Sequence, residues 1–144
     1  MAIWQYNFFI IPNLGTQEFK ILNDEFDDSL FWKEVNTNCS FFEKIEVLLK
    51  KSSSWHENLT IYGNLESNCL EVLCEGKYII SVTLRIDFTT NYEILVREIL
   101  NFFILHGLVM LDEQLNIVSL NFEIIKNIIT NSNQFNKYIS FTSN

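Results

Sequence analysis

The sequence predicts an α/β chain of the α+β type, an αβ sandwich in which a mostly antiparallel sheet carries helices packed chiefly on one face. Three observations lead there. Residues 78–87 alternate without a break, with Tyr78, Ile80, Val82, Leu84 and Ile86 on one side and Ile79, Ser81, Thr83, Arg85 and Asp87 on the other, the period of a strand. A second alternation, Trp4, Tyr6, Phe8 and Ile10, opens the chain. Two Ser/Thr-x-x-Glu boxes, Ser40–Glu43 and Thr90–Glu93, each precede apolar residues at helical spacing, the signature of a capped helix start.

The elements follow in order. Ala2–Ile11 is the first strand, ended by Pro12, which has no N–H to give a ladder. Residues 13–38 are the least regular stretch, with short helical turns around Phe19, Ile21, Leu22, Leu30, Phe31 and Trp32. The Ser40 box opens a helix whose apolar stripe is Phe41, Ile45, Leu48 and Leu49, and Lys50 and Lys51 suit the negative end of its dipole. After a Ser52–Ser54 loop comes a meander of strands at 59–62, 69–74 and 78–87. Matching Leu70, Val72 and Cys74 to the apolar face of the third strand asks for a three-residue loop, Glu75-Gly76-Lys77, with Gly76 or Lys77 at positive φ. Leu70 then opposes Val82, and Glu71 opposes Ser81. The Thr90 box opens a helix reaching about His106, closed by Gly107. Its residues are apolar nearly all round, which predicts burial on most sides at the centre of the domain. Short strands at 108–111 and 117–120 flank a turn at 112–116; Asn121 caps a helix through Ile129, and 134–141 forms a last turn or tail helix. No repeat or linker breaks the 144 residues, so one domain is expected.

Composition narrows the function classes. At 48% hydrophobic and 15% aromatic, with one proline and four glycines, the chain is too apolar to be disordered. Ten basic against eighteen acidic residues give −8, which speaks against nucleic-acid binding, since that relies on Lys and Arg neutralising phosphates. The longest charge-free run, 99–111, falls short of the roughly 20 apolar residues a membrane span needs. No basic-then-apolar leader opens the chain, so a cytoplasmic location is expected. The 17 Asn and 18 Ile beside a single Ala read as codon bias. Three cysteines are too few, and odd in number, for a disulfide scaffold. Cys39, Cys69 and Cys74 also lack zinc-site spacing, so ordinary core cysteines and no metal are expected. With no glycine-rich phosphate loop, no cofactor is expected either.

Candidate chemistry is sparse. His56 with Glu57, in a serine-rich loop, or with Asp87, supplies the residue types of a small hydrolase-like enzyme, although neighbouring residues rarely converge and no nucleophile elbow is present. Arg85 and Asp87 share the polar side of a strand, as a binding pair or a plain same-face ion pair. Charge is the clearest intrinsic signal. Residues 1–75 hold 12 acidic and 5 basic side chains, a balance of −7; the remainder hold 6 and 5. Asp24, Glu25, Asp27 and Asp28 cluster just before Phe31 and Trp32, and Trp55, His56 and Glu57 extend the pattern. Carboxylates that steer and aromatic rings that anchor suit a basic protein partner; a solvated acidic loop is the plain alternative.

Three segments then bear a likeness: Trp4-Gln5-Tyr6…Phe8…Ile11-Pro12, Trp55…Glu57…Ile61-Tyr62-Gly63, and Val82…Arg85-Ile86-Asp87. Over about residues 1–120 the chain resembles the immunity proteins of contact-dependent growth inhibition and related polymorphic-toxin systems. The resemblance implies a non-catalytic protein that binds one cognate toxin domain inside the producing cell. A nuclease, with its basic groove, is the toxin class that this acidity suits. The expected contact residues are Asp24, Glu25, Asp27, Asp28, Trp32, Trp55, Glu57, Glu71, Arg85 and Asp87, on a monomer or weak homodimer that binds neither nucleic acid nor membrane. A homo-oligomeric structural module is the remaining alternative.

Overall fold

The computed structural model describes residues 2–15 and 26–143. They form an α+β fold: a seven-stranded antiparallel sheet with five helices. The strands are β1 (Gln5–Pro12), β2 (Lys51–Ser52), β3 (Leu59–Gly63), β4 (Cys69–Glu75), β5 (Tyr78–Asp87), β6 (Leu108–Leu111) and β7 (Ile117–Val118), in the order β2-β3-β4-β5-β1-β6-β7. The helices are α1 (Ser29–Val35), a 3-10 helix (Cys39–Val47), α2 (Glu93–Leu105), α3 (Phe122–Thr130) and α4 (Asn133–Thr142).

Alternation sets the core. Tyr6 and Phe8 of β1 lie opposite Ile86 and Leu84 of β5, and Leu84 and Val82 lie opposite Leu70 and Val72 of β4. All seven are buried on the face covered by Phe42 and Ile45, by Val96, Ile99 and Phe103 of α2, and by Ile125 and Ile129 of α3. Each such side chain removed from water contributes on the order of 1.5–3 kcal/mol. The other face is only patched. Ile11, Phe31 and Leu111 form one small cluster there, and Leu59, Ile61 and Cys69 another. Helix α1 straddles the rim, sending Phe31 to the first patch and Trp32 to the main core.

Several expectations need correction. The β4–β5 connection is a two-residue turn, Gly76-Lys77, with Gly76 alone at positive φ (63°). A bulge then restores the facing: Cys74 pairs with Ile79 but Leu73 with Ser81, leaving Ile80 as the extra residue. Leu70 therefore opposes Leu84 and Glu71 opposes Thr83, and Ile79 rather than Ile80 enters the core. The 39–47 segment is 3-10 and is capped by Asn38, whose side chain accepts from the Ser40 N–H. Thr90 does not cap α2; its hydroxyl donates to the Asp87 carbonyl. Nor is α2 enclosed, because Ile94, Ile104 and Leu105 are exposed. An apolar helix laid on one sheet face buries only the stripe that meets the sheet.

Cys39 and Cys74 are joined by a disulfide, contrary to the expectation of three ordinary core thiols; topology brings together two residues 35 apart that the odd count concealed. Backbone bonds run alongside, from the Cys39 N–H to the Lys77 carbonyl and from the Ile79 N–H to the Thr37 carbonyl, at 2.9 and 2.8 Å. Burial pushes the remaining thiol, Cys69, up to about 12, which makes it a poor nucleophile. Protein purified without reductant will therefore show no thiol reactive to an aromatic disulfide reagent when native, one when denatured, and three when denatured and reduced. Replacing Cys39 and Cys74 together by Ala will cost roughly 3–4 kcal/mol, the loop-closure entropy of a loop this long, measurable by urea unfolding. At Gly63, φ is +96° and a Cβ would collide with the Asn68 carbonyl. Gly63→Ala will accordingly destabilise by about 2 kcal/mol or more in the same assay.

Candidate functional site

The expected contact residues divide by position. Leu59, Leu73 and Ser81 form one row across β3, β4 and β5, at the end of the sheet next to the Gly76-Lys77 turn. Asp28, at the start of α1, accepts a hydrogen bond from the Ser81 hydroxyl at 2.7 Å. The 53–58 loop enters β3 at the same end, where the Asn58 carbonyl accepts from the Cys74 N–H. Strands lie about 4.8 Å apart, so two intervals set Asp28 and the foot of this loop roughly 10 Å from one another. Trp55 is 77% exposed, its ring edge-on to His56, and Glu57 beside it is exposed. Asp27, Asp28, Trp55 and Glu57 are thus brought to one end of the sheet.

The others behave differently. Arg85 Nε lies 2.7 Å from Glu71 Oε1 on the patched face, a charge contact whose N–H is not aligned on the oxygen. Arg85 does not pair with Asp87. Asp87 is buried and accepts from the Ser67 hydroxyl and the Thr89 N–H, bracing two turns at the far end. Trp32 is 1% exposed and its indole donates to the Ile10 carbonyl at 3.0 Å, so it is a core residue and cannot anchor a partner. Adjacent aromatics on a helix that crosses the rim of a sheet are covered from both sides. Asp24 and Glu25 lie outside the described residues.

The two described acids of the cluster are not equivalent. The hydroxyl and N–H of Ser29 hold the exposed Asp27 carboxyl below its usual range. Burial raises Asp28 above that range in spite of the Ser81 bond. At the loop, His56 Nδ1 accepts from the Asn58 N–H at 3.0 Å and the Ser54 hydroxyl donates to the His56 carbonyl at 2.9 Å. Both side chains brace the loop, and neither Ser54 nor Glu57 contacts the imidazole. Among the described residues no group of three or more His, Cys, Asp or Glu is placed to hold a metal.

A cleft of about 520 Å³ lies elsewhere, between the turn after β6 and the α3–α4 junction. Tyr6 forms its floor, Asp112, Glu113 and Gln114 one wall, and Asn127, Asn131, Asn133 and Gln134 the other. The turn is tightly specified. Asp112 accepts from the N–H groups of Gln114 and Asn116, both at 2.9 Å, and Leu115 takes a left-handed conformation (φ 65°). Burial first, then the charges of Asp112 and Glu113, raise the Tyr6 phenol above its ordinary range. The cleft was not anticipated from the sequence. Its one legible trace is the Asn127–Asn131 spacing on a single helix face, which a compositional reading of the asparagines hides.

Because the folded carboxyl of Asp28 titrates above the unfolded one, the native state binds more protons through that window and its stability falls as pH rises. Asp28→Asn, which keeps an acceptor for Ser81, will raise the melting temperature at pH 7. The difference will close as acidification protonates the wild-type carboxyl, so melts at pH 7 and pH 3 check it.

No family model matches the chain, and no curated protein or solved structure is significantly similar to it.

Proposed function

We propose that this chain is a non-catalytic immunity-type protein that binds and neutralises a basic toxin domain, with the groove of a nuclease as the target class that its charge fits. The observation that carries the reading is the exposed Trp55 set among exposed acids in the half of the chain that holds almost all the net charge. Among the described residues of that half, Asp27, Glu34, Glu43, Glu46, Glu57, Glu66 and Glu75 are exposed, against Lys33, Lys44, Lys50 and Lys51. Such a surface draws a cationic partner by long-range attraction and leaves a large ring to be buried on contact. No helix of the described residues is long and apolar enough to cross a membrane. The reading places the protein in the cytoplasm of the producing cell. There Cys39 and Cys74 would stand reduced, and the backbone bonds between 37–39 and 77–79 would keep the hairpin end in place.

The test is co-expression with the toxin domain encoded beside it. A stoichiometric complex and restored growth are expected, with an association rate that falls steeply between about 50 and 500 mM salt. Trp55→Ala and Glu57→Lys will each weaken binding by about tenfold or more, on the order of 1.4 kcal/mol. Neither complex nor rescue at low salt, with both proteins folded, would overturn the reading.

A further inference from the structure

We infer that the cleft between the turn after β6 and the α3–α4 junction is a binding site for a guanidinium group. The inference rests on the proposed function only in naming a partner's arginine as one source of that group; the site itself is argued from its own chemistry.

Glu113 sits in this cleft as a carboxylate held on one side only. Its Oε2 accepts from the Asn7 N–H at 3.0 Å and from the Gln134 side chain, while Oε1 has no donor among the described residues. The described residues supply no lysine or arginine as its ion-pair partner, nor as one for Asp112. Asn127, Asn131 and Asn133 line the same space, and their carboxamides, which make no hydrogen bond within the described residues, can turn their oxygens to a donor there. Tyr6, 5% exposed, closes the floor, and its oxygen accepts from the Glu113 N–H, which fixes that residue.

An anion and several neutral acceptors around a space this size call for a cation with many donors. A guanidinium spreads five N–H groups over a rigid plane and pairs with a carboxylate through parallel bonds, whereas an ammonium is a compact point charge with three. Arginine side chains and small guanidinium compounds both offer this group.

The probes are agmatine, N-acetyl-arginine amide and methylammonium, each titrated into the full chain while amide chemical shifts are followed by NMR. Agmatine is expected to give saturable shifts confined to 112–116 and 127–134. Glu113→Gln will weaken binding by about tenfold or more, the scale of a lost charge-assisted hydrogen bond. Since Glu113 also braces β1, Asn131→Arg serves as a second variant: it fills the cleft from an exposed position and will abolish the shifts with the fold intact. Binding of both guanidinium probes identifies a site open to an arginine of a protein; binding of agmatine alone identifies a small-molecule site. Unsaturable shifts, shifts spread over the acidic surface, an equal response to methylammonium, or unchanged binding by Asn131→Arg would overturn the assignment. A protein that binds agmatine yet forms no toxin complex would sink the functional reading alone, and a complex without agmatine binding would sink only this site.

Discussion

The fold depends on where β1 is inserted. Among the described residues it is the only strand that touches both parts of the sheet, pairing with β5 along Gln5–Phe9 and with β6 along Phe9–Pro12. Without it, β2–β5 would be a meander and β6–β7 a separate two-stranded ribbon, too small to be stable alone. Its buried residues Tyr6, Phe8 and Ile10 lie under the helices, and the Ile10 carbonyl takes the Trp32 indole proton, so α1 is tied to the same strand. The outer edge of β1 beyond β6 is not left bare: the Asn7 N–H is satisfied by Glu113.

Much of this was legible. Period-2 runs at 4–10 and 82–86 are local consequences of one-sided burial, and the Asn121 cap, whose side chain accepts from the Glu123 and Ile124 N–H groups, is likewise local. The errors share a cause, which is that competing local solutions were settled by contacts distant in sequence. A three-residue loop and a bulge both reconcile β4 with β5; the backbone bonds of residues 37–39 to the hairpin end accompany the bulge. Ser40 and Thr90 fit the capping pattern, yet Asn38 and the turn after Asp87 satisfy those backbones first. The disulfide, the burial of Trp32 and the cleft at Glu113 each join segments between 22 and 107 residues apart, which no window on the sequence spans.

Electrostatics divides the molecule by use. Carboxylates that serve the fold are spent on N–H and hydroxyl groups: Asp87 on two turns, Asp112 on a third, Asp28 on Ser81. Arg97 is likewise committed, lying near Glu93 and Glu123. What remains is an excess of outward acids toward the hairpin end and the 3-10 helix, and a half-satisfied Glu113 in a cleft. An acidic chain therefore presents both a broad attractive field and one confined anionic point, which act over different ranges.

The central place of β1 also bears on how the chain leaves the ribosome. Its partners in β6 lie about a hundred residues later, so at roughly 5–20 residues per second the apolar ridge of Tyr6, Phe8 and Ile10 waits five seconds or more for its second neighbour. During that time the meander can close on itself, but the earliest strand keeps an unpaired flank and a greasy face. Such a chain favours escort by chaperones, and its yield in a cell will be governed by crowding and temperature during those seconds as much as by the stability of the finished sheet.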